Sequence, residues 1–258
     1  MSRTIVVTSG KGGVGKSTIS VNLSYALADL GYRICVIDAD FGLKNLDVLL
    51  GLENRVIYDL KDVMMNRCSL KQVMIKDKRK DNLYLLPVCK SMSFSDLDIN
   101  YMIQMIEILK DEFDFIVIDS PAGVEKGFMY ASGLSNEAIV VVNLDVVSLR
   151  DADRVIGILN KHGIDDIKMV INKYNEEDII KNRCVTIKEA YDILSVPLIG
   201  IVYDDHGIIE ANNKGMPITC DQSHSVSKCF ERIALRIDGK EVPFVKNKKK
   251  TLIERLFG

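Results

Sequence analysis

The apolar positions of this chain fall into two alternating patterns. Short runs rich in Val and Ile predict strands, and several, such as Cys35-Val36-Ile37, are apolar on both alternating faces, as expected for strands covered by helices on both sides. The predicted strands span residues 5–8, 33–38, 83–86, 115–119, 138–143, 168–172 and 198–202. This pattern indicates a mostly parallel sheet.

Longer segments with helical periodicity lie between these runs. They include residues 17–30, 99–110 and 149–161, each long enough to cross back over a sheet. In the last of these, Ser148 and Asp151 match a capping box, which predicts a helix starting after Ser148. Right-handed crossovers between parallel strands then predict an α/β fold, a doubly wound, mostly parallel sheet with helices on both faces.

Composition narrows the class of protein. With 258 residues, 47% of them apolar, the chain can form one domain with a sizeable core, and a net charge of -2 argues against nucleic-acid binding through bulk charge. The amino-terminal apolar run is too short for a signal peptide, and no run reaches the length of a membrane span. The six cysteines form no C-x-x-C pair, so we expect reduced thiols and a cytoplasmic location.

A phosphate-binding loop follows the first predicted strand. Residues 10–17 match G-x-x-x-x-G-K-[ST] between a strand and a helix, which is the context that this motif requires. Glycines let backbone N–H groups approach phosphate oxygens, and the following helix adds its positive N-terminus. The predicted nucleotide-binding residues are Gly10, Lys11, Gly12, Gly13, Val14, Gly15, Lys16, Ser17 and Thr18. A glycine-rich turn without a ligand is the alternative.

Acidic residues end two of the apolar strands. Asp119 has the Walker B position, so we expect it to hold Mg²⁺ together with the Ser17 hydroxyl, while Lys16 bridges the β- and γ-phosphates of ATP. Asp38 or Asp40 could orient the attacking water. Each aspartate alone could be a turn former, but their place at the carboxyl edge of an α/β sheet favours a catalytic site.

The loop sequence G-K-G-G-V-G-K-S, with its second lysine Lys11, resembles the deviant Walker A loop of the MinD/ParA ATPases. The segments 38–47, 119–125 and 149–154 also resemble successive signatures of this P-loop family, so the similarity extends over most of the chain. The resemblance implies an ATPase that forms a nucleotide-sandwich homodimer. Lys11 would then reach the partner subunit's phosphates, and Asn172 would match the position that reads adenine.

The same resemblance implies a role in cell division. Arg150, Asp151, Asp153 and Arg154 would form the surface that binds a MinC-like division inhibitor and a MinE-like activator, although a charged helix face is ordinarily just solvated. The ATP form would recruit the inhibitor to the membrane, position the division site and be released by hydrolysis. Two departures from the family pattern, Asn143-Leu144 after one strand and Tyr203 after another, affect loops beside the adenine pocket.

The carboxyl terminus differs from the rest of the chain. We predict an ATPase domain over residues 1–238, a linker over 239–247 and an amphipathic helix over 248–258. Leu252, Ile253, Leu256 and Phe257 share one helical face, with basic residues elsewhere, which is typical of a helix that lies on an anionic membrane. We expect a peripheral location on the inner face of the cell membrane. The alternative is a helix that packs back on its own domain.

Three other functions occur within this ATPase group. A ParA-like partition ATPase would bind DNA nonspecifically through surface lysines and arginines, which the balanced charge and the amphipathic terminus disfavour. An iron-sulfur carrier needs paired cysteines, which the chain lacks. A flagellar-placement ATPase stays possible, although no basic extension precedes the first strand.

Overall fold

One eight-stranded sheet organises the computed structural model, which describes residues 2–40, 45–87 and 98–245. The strand order is β3-β4-β2-β5-β1-β6-β7-β8, and all neighbouring strands are parallel except the antiparallel pair β3 and β4. The strands are β1 (Arg3–Thr8), β2 (Ile34–Asp38), β3 (Ile75–Lys76), β4 (Leu83–Leu86), β5 (Phe115–Asp119), β6 (Glu137–Val142), β7 (Asp166–Tyr174) and β8 (Leu198–Tyr203).

Helices connect the strands and cover both faces of the sheet. The α-helices in the described residues are α1 (Lys16–Asp29), α2 (Leu46–Leu49), α3 (Leu60–Met64), α4 (Leu70–Val73), α5 (Ile99–Lys110), α6 (Lys126–Gly133), α7 (Val146–Lys161), α8 (Glu176–Ile180), α9 (Ile187–Leu194), α10 (His206–Asn213) and α11 (Ser227–Ile237). Within that part of the chain, no helix has the length and apolar character needed to cross a bilayer.

The sheet separates two hydrophobic cores. Along β1, Ile5 and Val7 point into the core beneath α1 and α11, whereas Val6 points into the core beneath α5 and α7. Because successive side chains of a strand point to opposite faces, apolar residues at every position are explained by burial on both sides. The predicted doubly wound α/β fold is confirmed.

Besides shifts of one or two residues at several element ends, the sequence-based assignment differs from the structure at β3 and at the start of α7. The two-residue strand β3 was not predicted, since so short an edge strand carries no periodic signal. Helix α7 begins at Val146 rather than after Ser148, so the predicted capping box at Ser148 is wrong. Asp145 is the N-cap instead: its carboxylate accepts a hydrogen bond from the Ser148 backbone N–H at 2.9 Å. The Ser148 hydroxyl accepts from the Asn143 backbone N–H.

The segment that follows α11 contacts the domain as far as it is described. The Arg236 guanidinium donates to the Val242 carbonyl oxygen at 2.6 Å, and Val245 packs against the core beneath α1 and α11. Residues 239–245 of the predicted linker therefore make at least these contacts with the domain. The predicted membrane residues Leu252, Ile253, Leu256 and Phe257 lie outside the described residues, so the amphipathic helix stays a prediction.

Candidate functional site

The loop between β1 and α1 has the backbone of a phosphate cradle. Gly13 and Gly15 have positive φ angles of 77° and 96°, a conformation that side chains other than glycine rarely adopt. A Cβ on Gly15 would also lie 2.3 Å from the Asn172 amide nitrogen. Gly10 is constrained by contact, since a Cβ there would lie 2.3 Å from the Asp151 backbone carbon of α7. The loop therefore needs glycine at these positions for backbone geometry and for close packing.

Ser17 and Asp119 meet below this loop. The Ser17 hydroxyl donates to one carboxylate oxygen of Asp119 at 2.6 Å, and the Ser20 hydroxyl donates to the other at 2.8 Å. The Asp119 residue is only 2% exposed, at the end of β5, directly beside β1 in the sheet. The predicted metal ligands thus lie together, and a hydroxyl beside a buried carboxylate is a donor set that suits Mg²⁺.

Two buried carboxyl groups face each other across neighbouring strands. Asp38 and Asp119 are directly paired in the register of β2 and β5. Burial raises the pKa of Asp119 to about 6, although hydrogen bonds from Ser17 and Ser20 oppose the rise. Burial, and then the charge of Asp119, raise the pKa of Asp38 to about 7. This region therefore favours bound positive charge, as Mg²⁺ and the nearby Lys16 would supply.

Lys16 lies between the loop and these acids. Burial lowers the pKa of its ammonium group, while the negative charges of Asp119 and Asp40 oppose that change. The side chain therefore stays within the electrostatic reach of both carboxylates and can balance phosphate charge.

The two candidate water-orienting residues differ in their surroundings. Asp38 accepts hydrogen bonds from three backbone N–H groups, those of Asp40, Asn45 and Leu46, at 3.1 to 3.2 Å. These contacts hold the start of α2 against the end of β2. Asp40 instead lines a pocket beside the phosphate loop that is large enough for a nucleotide. The geometry gives Asp38 a role in holding the loop and makes Asp40 the better candidate to face an attacking water.

A pocket of about 740 Å³ extends from the loop across the carboxyl edge of the sheet. Beside the loop, the Asn172 amide donates to the Val14 carbonyl oxygen at 2.7 Å, and the Lys173 ammonium donates to the Gly13 carbonyl oxygen at 2.8 Å. Its other polar lining residues include Thr18, Asn45, Tyr203, Asp204, Asp205 and Asn212. Asn172 is thus at the predicted pocket, with one amide hydrogen already bonded to the phosphate loop.

Lys11 lies at the exposed surface of the loop. Its ammonium nitrogen is 3.6 Å from a carboxylate oxygen of Asp145, and both side chains are nearly half exposed. An exposed pair of this kind contributes about 0 to 1 kcal/mol, so the lysine can exchange this partner for another at small cost. The position suits a cation that acts outside its own subunit.

Helix α7 carries the predicted partner surface next to the loop. Arg150, Asp153 and Arg154 are exposed, and Asp151 is partly exposed. Their neighbours Ala152, Val155, Ile156 and Leu159 are buried, so the charged residues lie on the outward face of α7. Because Gly10 touches the backbone of Asp151, this charged surface is in direct contact with the phosphate loop.

Several residues of the site were not predicted. Ser20 is one helical turn beyond the motif, and its i+3 spacing from Ser17 could have shown that both hydroxyls face Asp119. Lys173, Asp145 and Asp205 have no motif of their own, and only the packing of distant strands brings them to the pocket or the loop. Among the described residues, no cluster of three or more His, Cys, Asp or Glu side chains could hold a metal ion. Mg²⁺ would therefore need oxygens from phosphate and water besides Ser17 and Asp119.

Comparisons with known proteins agree with this geometry. A sequence model of the CobQ/CobB/MinD/ParA nucleotide binding domain matches residues 5–218. The septum site-determining protein MinD of Synechocystis is 46% identical over 246 residues, which cover 95% of this chain and 92% of that protein.

Solved structures give the same relationship. The MinC:MinD cell division protein complex of Aquifex aeolicus contains a chain that is 39% identical, with a TM-score of 0.88 over 95% of this chain and 99% of that one. MinD of Pyrococcus horikoshii, complexed with Mg-ADP, is 31% identical, with a TM-score of 0.82 over 92% of this chain and 96% of that one.

Proposed function

Because this chain belongs to the CobQ/CobB/MinD/ParA nucleotide-binding family, we propose that it is a Mg²⁺-dependent ATPase that positions the cell-division site from the membrane surface. The observation that carries the proposal is the site itself. A phosphate loop with an additional exposed lysine lies above a hydroxyl and a buried carboxylate, and relatives that match over most of both chains include septum site-determining proteins.

The residues of the pocket have different roles in ATP hydrolysis. The loop N–H groups and Lys16 hold the phosphates, and Ser17 with Asp119 hold Mg²⁺, which when bound withdraws charge from the phosphate oxygens. Asp40 orients the attacking water, while Asp38 holds the backbone of Asp40, Asn45 and Leu46 through three hydrogen bonds. Asn172, which matches the adenine-reading position of the family, would contact the base.

Dimerisation follows from the exposed position of Lys11. Two subunits would face each other across their nucleotides, and each Lys11 would leave Asp145 for the phosphates of the partner subunit. A cation there stabilises negative charge as the γ-phosphate departs. The ATP form is then the dimer, and loss of the γ-phosphate removes the contact that holds it together.

Recruitment of partners uses α7 and the carboxyl terminus. The MinC:MinD complex of Aquifex aeolicus supports a MinC-like inhibitor as partner, and we place its contact on the surface formed by Arg150, Asp151, Asp153 and Arg154. A MinE-like activator would compete for the same surface. Residues 248–258 would bind anionic lipid weakly as one copy and firmly as the two copies of a dimer.

A liposome sedimentation experiment tests this function. Wild-type protein is mixed with anionic vesicles and either ATP or ADP, and the pelleted fraction is measured. We expect sedimentation with ATP only, and none for Lys16→Ala under either condition. ATP-dependent binding to DNA without lipid binding would instead support a partition ATPase. Equal lipid binding with ATP and with ADP would refute the proposed cycle.

A further inference from the structure

The segment that follows α11 is fastened to the domain by Arg236. One guanidinium nitrogen donates to the Ile199 carbonyl oxygen of β8 at 2.9 Å, and the other donates to the Val242 carbonyl oxygen at 2.6 Å. The guanidinium carbon also lies 3.9 Å from the centroid of the Phe244 ring. Residues 239–245, which we name the C-terminal arm, therefore rest on the outer strand of the sheet.

A second contact joins this arm to the nucleotide pocket. Tyr203 ends β8, and its hydroxyl donates to the Val245 carbonyl oxygen at 2.8 Å. Its ring packs edge to face against Tyr174, with centroids 5.4 Å apart. Tyr203 is also a lining residue of the pocket. One side chain thus has the pocket on one side and the C-terminal arm on the other.

The sheet order identifies the end of the nucleotide that Tyr203 faces. Asp119, the proposed Mg²⁺ ligand, and its neighbour Asp38 lie on β5 and β2, to one side of β1. Tyr203 lies on β8, to the opposite side of β1 beyond β6 and β7. A nucleotide whose phosphates lie on the loop therefore extends its base towards Tyr203.

We propose that Tyr203 contacts the base of the bound nucleotide and is positioned for this by the C-terminal arm, so that arm docking and base binding strengthen each other. The inference rests on the proposed nucleotide site and adds a base-binding residue and its support to it. Linkage makes the coupling reciprocal: an arm that improves base binding must itself be held more firmly when the base is present.

The first experiment compares a ligand with a base and a ligand without one. Dissociation constants of Mg²⁺-ADP and of Mg²⁺-pyrophosphate are measured for the full-length wild type, Tyr203→Phe and Phe244→Ala. Tyr203→Phe keeps the ring but loses the bond to Val245, and Phe244→Ala loosens the arm outside the pocket. We expect both to weaken ADP binding by about three- to tenfold, the size of one lost hydrogen bond, and to leave pyrophosphate binding unchanged.

Matched controls separate this effect from general damage. Tyr191→Phe makes the same chemical change at an exposed tyrosine of α9 and should alter neither ligand. Equal weakening of ADP and pyrophosphate in the two arm variants would show a structural defect and overturn the inference. Unchanged ADP binding in both variants would also overturn it. Failure of the wild type to bind either ligand would instead reject the proposed nucleotide site, on which the inference depends.

Hydrogen exchange supplies the reciprocal measurement. Backbone amides of residues 239–245 are followed in the wild type without ligand, with Mg²⁺-pyrophosphate and with Mg²⁺-ADP. We expect ADP to slow their exchange by about three- to tenfold relative to pyrophosphate, and the difference to disappear in Tyr203→Phe. Equal protection by both ligands would contradict a coupling that passes through the base.

Discussion

The buried carboxylate of Asp119 lowers the stability of the nucleotide-free protein. Its pKa in the folded chain is raised to about 6 from an ordinary value of 3.8. Between these two pH values the folded state binds more protons than the unfolded state, so its contribution makes stability fall as pH rises through this window and stay level above it. Asp38 adds a contribution of the same sign that extends to about pH 7.

The matching prediction concerns Asp119→Asn. Removing the buried charge should raise the free energy of unfolding of the nucleotide-free protein by about 1 to 3 kcal/mol at pH 8, and the gain should disappear near pH 4. Denaturant unfolding between pH 4 and pH 8 measures this. Added Mg²⁺-ADP should stabilise the wild type more than the variant. A variant less stable than the wild type at pH 8 would contradict the assigned cost of the charge.

We expect mutations of the two lysines of the phosphate loop to have different effects. Lys11→Ala removes an exposed cation whose partner in one subunit is Asp145, so we expect nucleotide binding to persist and ATP-driven dimerisation to be lost. Light scattering with ATP measures the dimer. Lys16→Ala is the matched variant: loss of a buried contact to phosphate should weaken nucleotide binding by at least about 30-fold. A Lys11→Ala protein that dimerises and hydrolyses ATP as the wild type does would refute the contact across the dimer.

At the scale of elements, α7 begins beside the phosphate loop because Asp145 caps it there. The Asp145 carboxylate accepts from the Ser148 backbone N–H, and the same carboxylate lies near Lys11. The Asp145 side chain therefore contacts both the start of this helix and the loop. The next turn of the helix contacts Gly10. A change in the loop on nucleotide binding can reach the partner surface over this short distance.

The cap can be tested apart from the charge. Asp145→Ala should lower the free energy of unfolding by about 1 kcal/mol, as expected for loss of an N-cap, whereas Asp145→Asn should keep most of the capping energy and lose only the ion pair. Asp153→Ala, an exposed acidic residue of the same helix, is the control and should change little. Chemical unfolding gives all three values. An Asp145→Ala protein as stable as the Asp153→Ala control would mean that α7 does not depend on this cap.

For the whole molecule, we expect membrane attachment to depend on two copies of residues 248–258, each binding lipid weakly, that are held together in a dimer. Replacing Leu256 and Phe257 with Glu should abolish ATP-dependent sedimentation with anionic vesicles, because burial is lost and repulsion is added, while ATP-dependent dimerisation in solution persists. Thr251→Glu with Gly258→Glu adds the same charge on the opposite helical face and should weaken binding less. If the first variant also fails to dimerise, residues 248–258 belong to the folded domain.

Much of the site could be predicted because each key residue belongs to a local sequence pattern. The loop motif between a strand and a helix identifies Lys16 and Ser17, and an apolar strand ending in Asp119 identifies the acid that the structure places 2.6 Å from the Ser17 hydroxyl. The different surroundings of Asp38 and Asp40 could not be predicted, because they depend on whether Asn45 and Leu46 lie close enough to donate their N–H groups to Asp38.

The sequence by itself determined the α/β class, the phosphate loop and the acidic strand ends, since strand burial and loop chemistry are local and periodic. Only the tertiary structure decided what joins the loop to distant elements. The Lys11 to Asp145 pair, the Gly10 contact with α7 and the Tyr203 bond to Val245 each span many residues. Such contacts depend on strand order and helix packing, which bring together residues that have no spacing rule in the sequence.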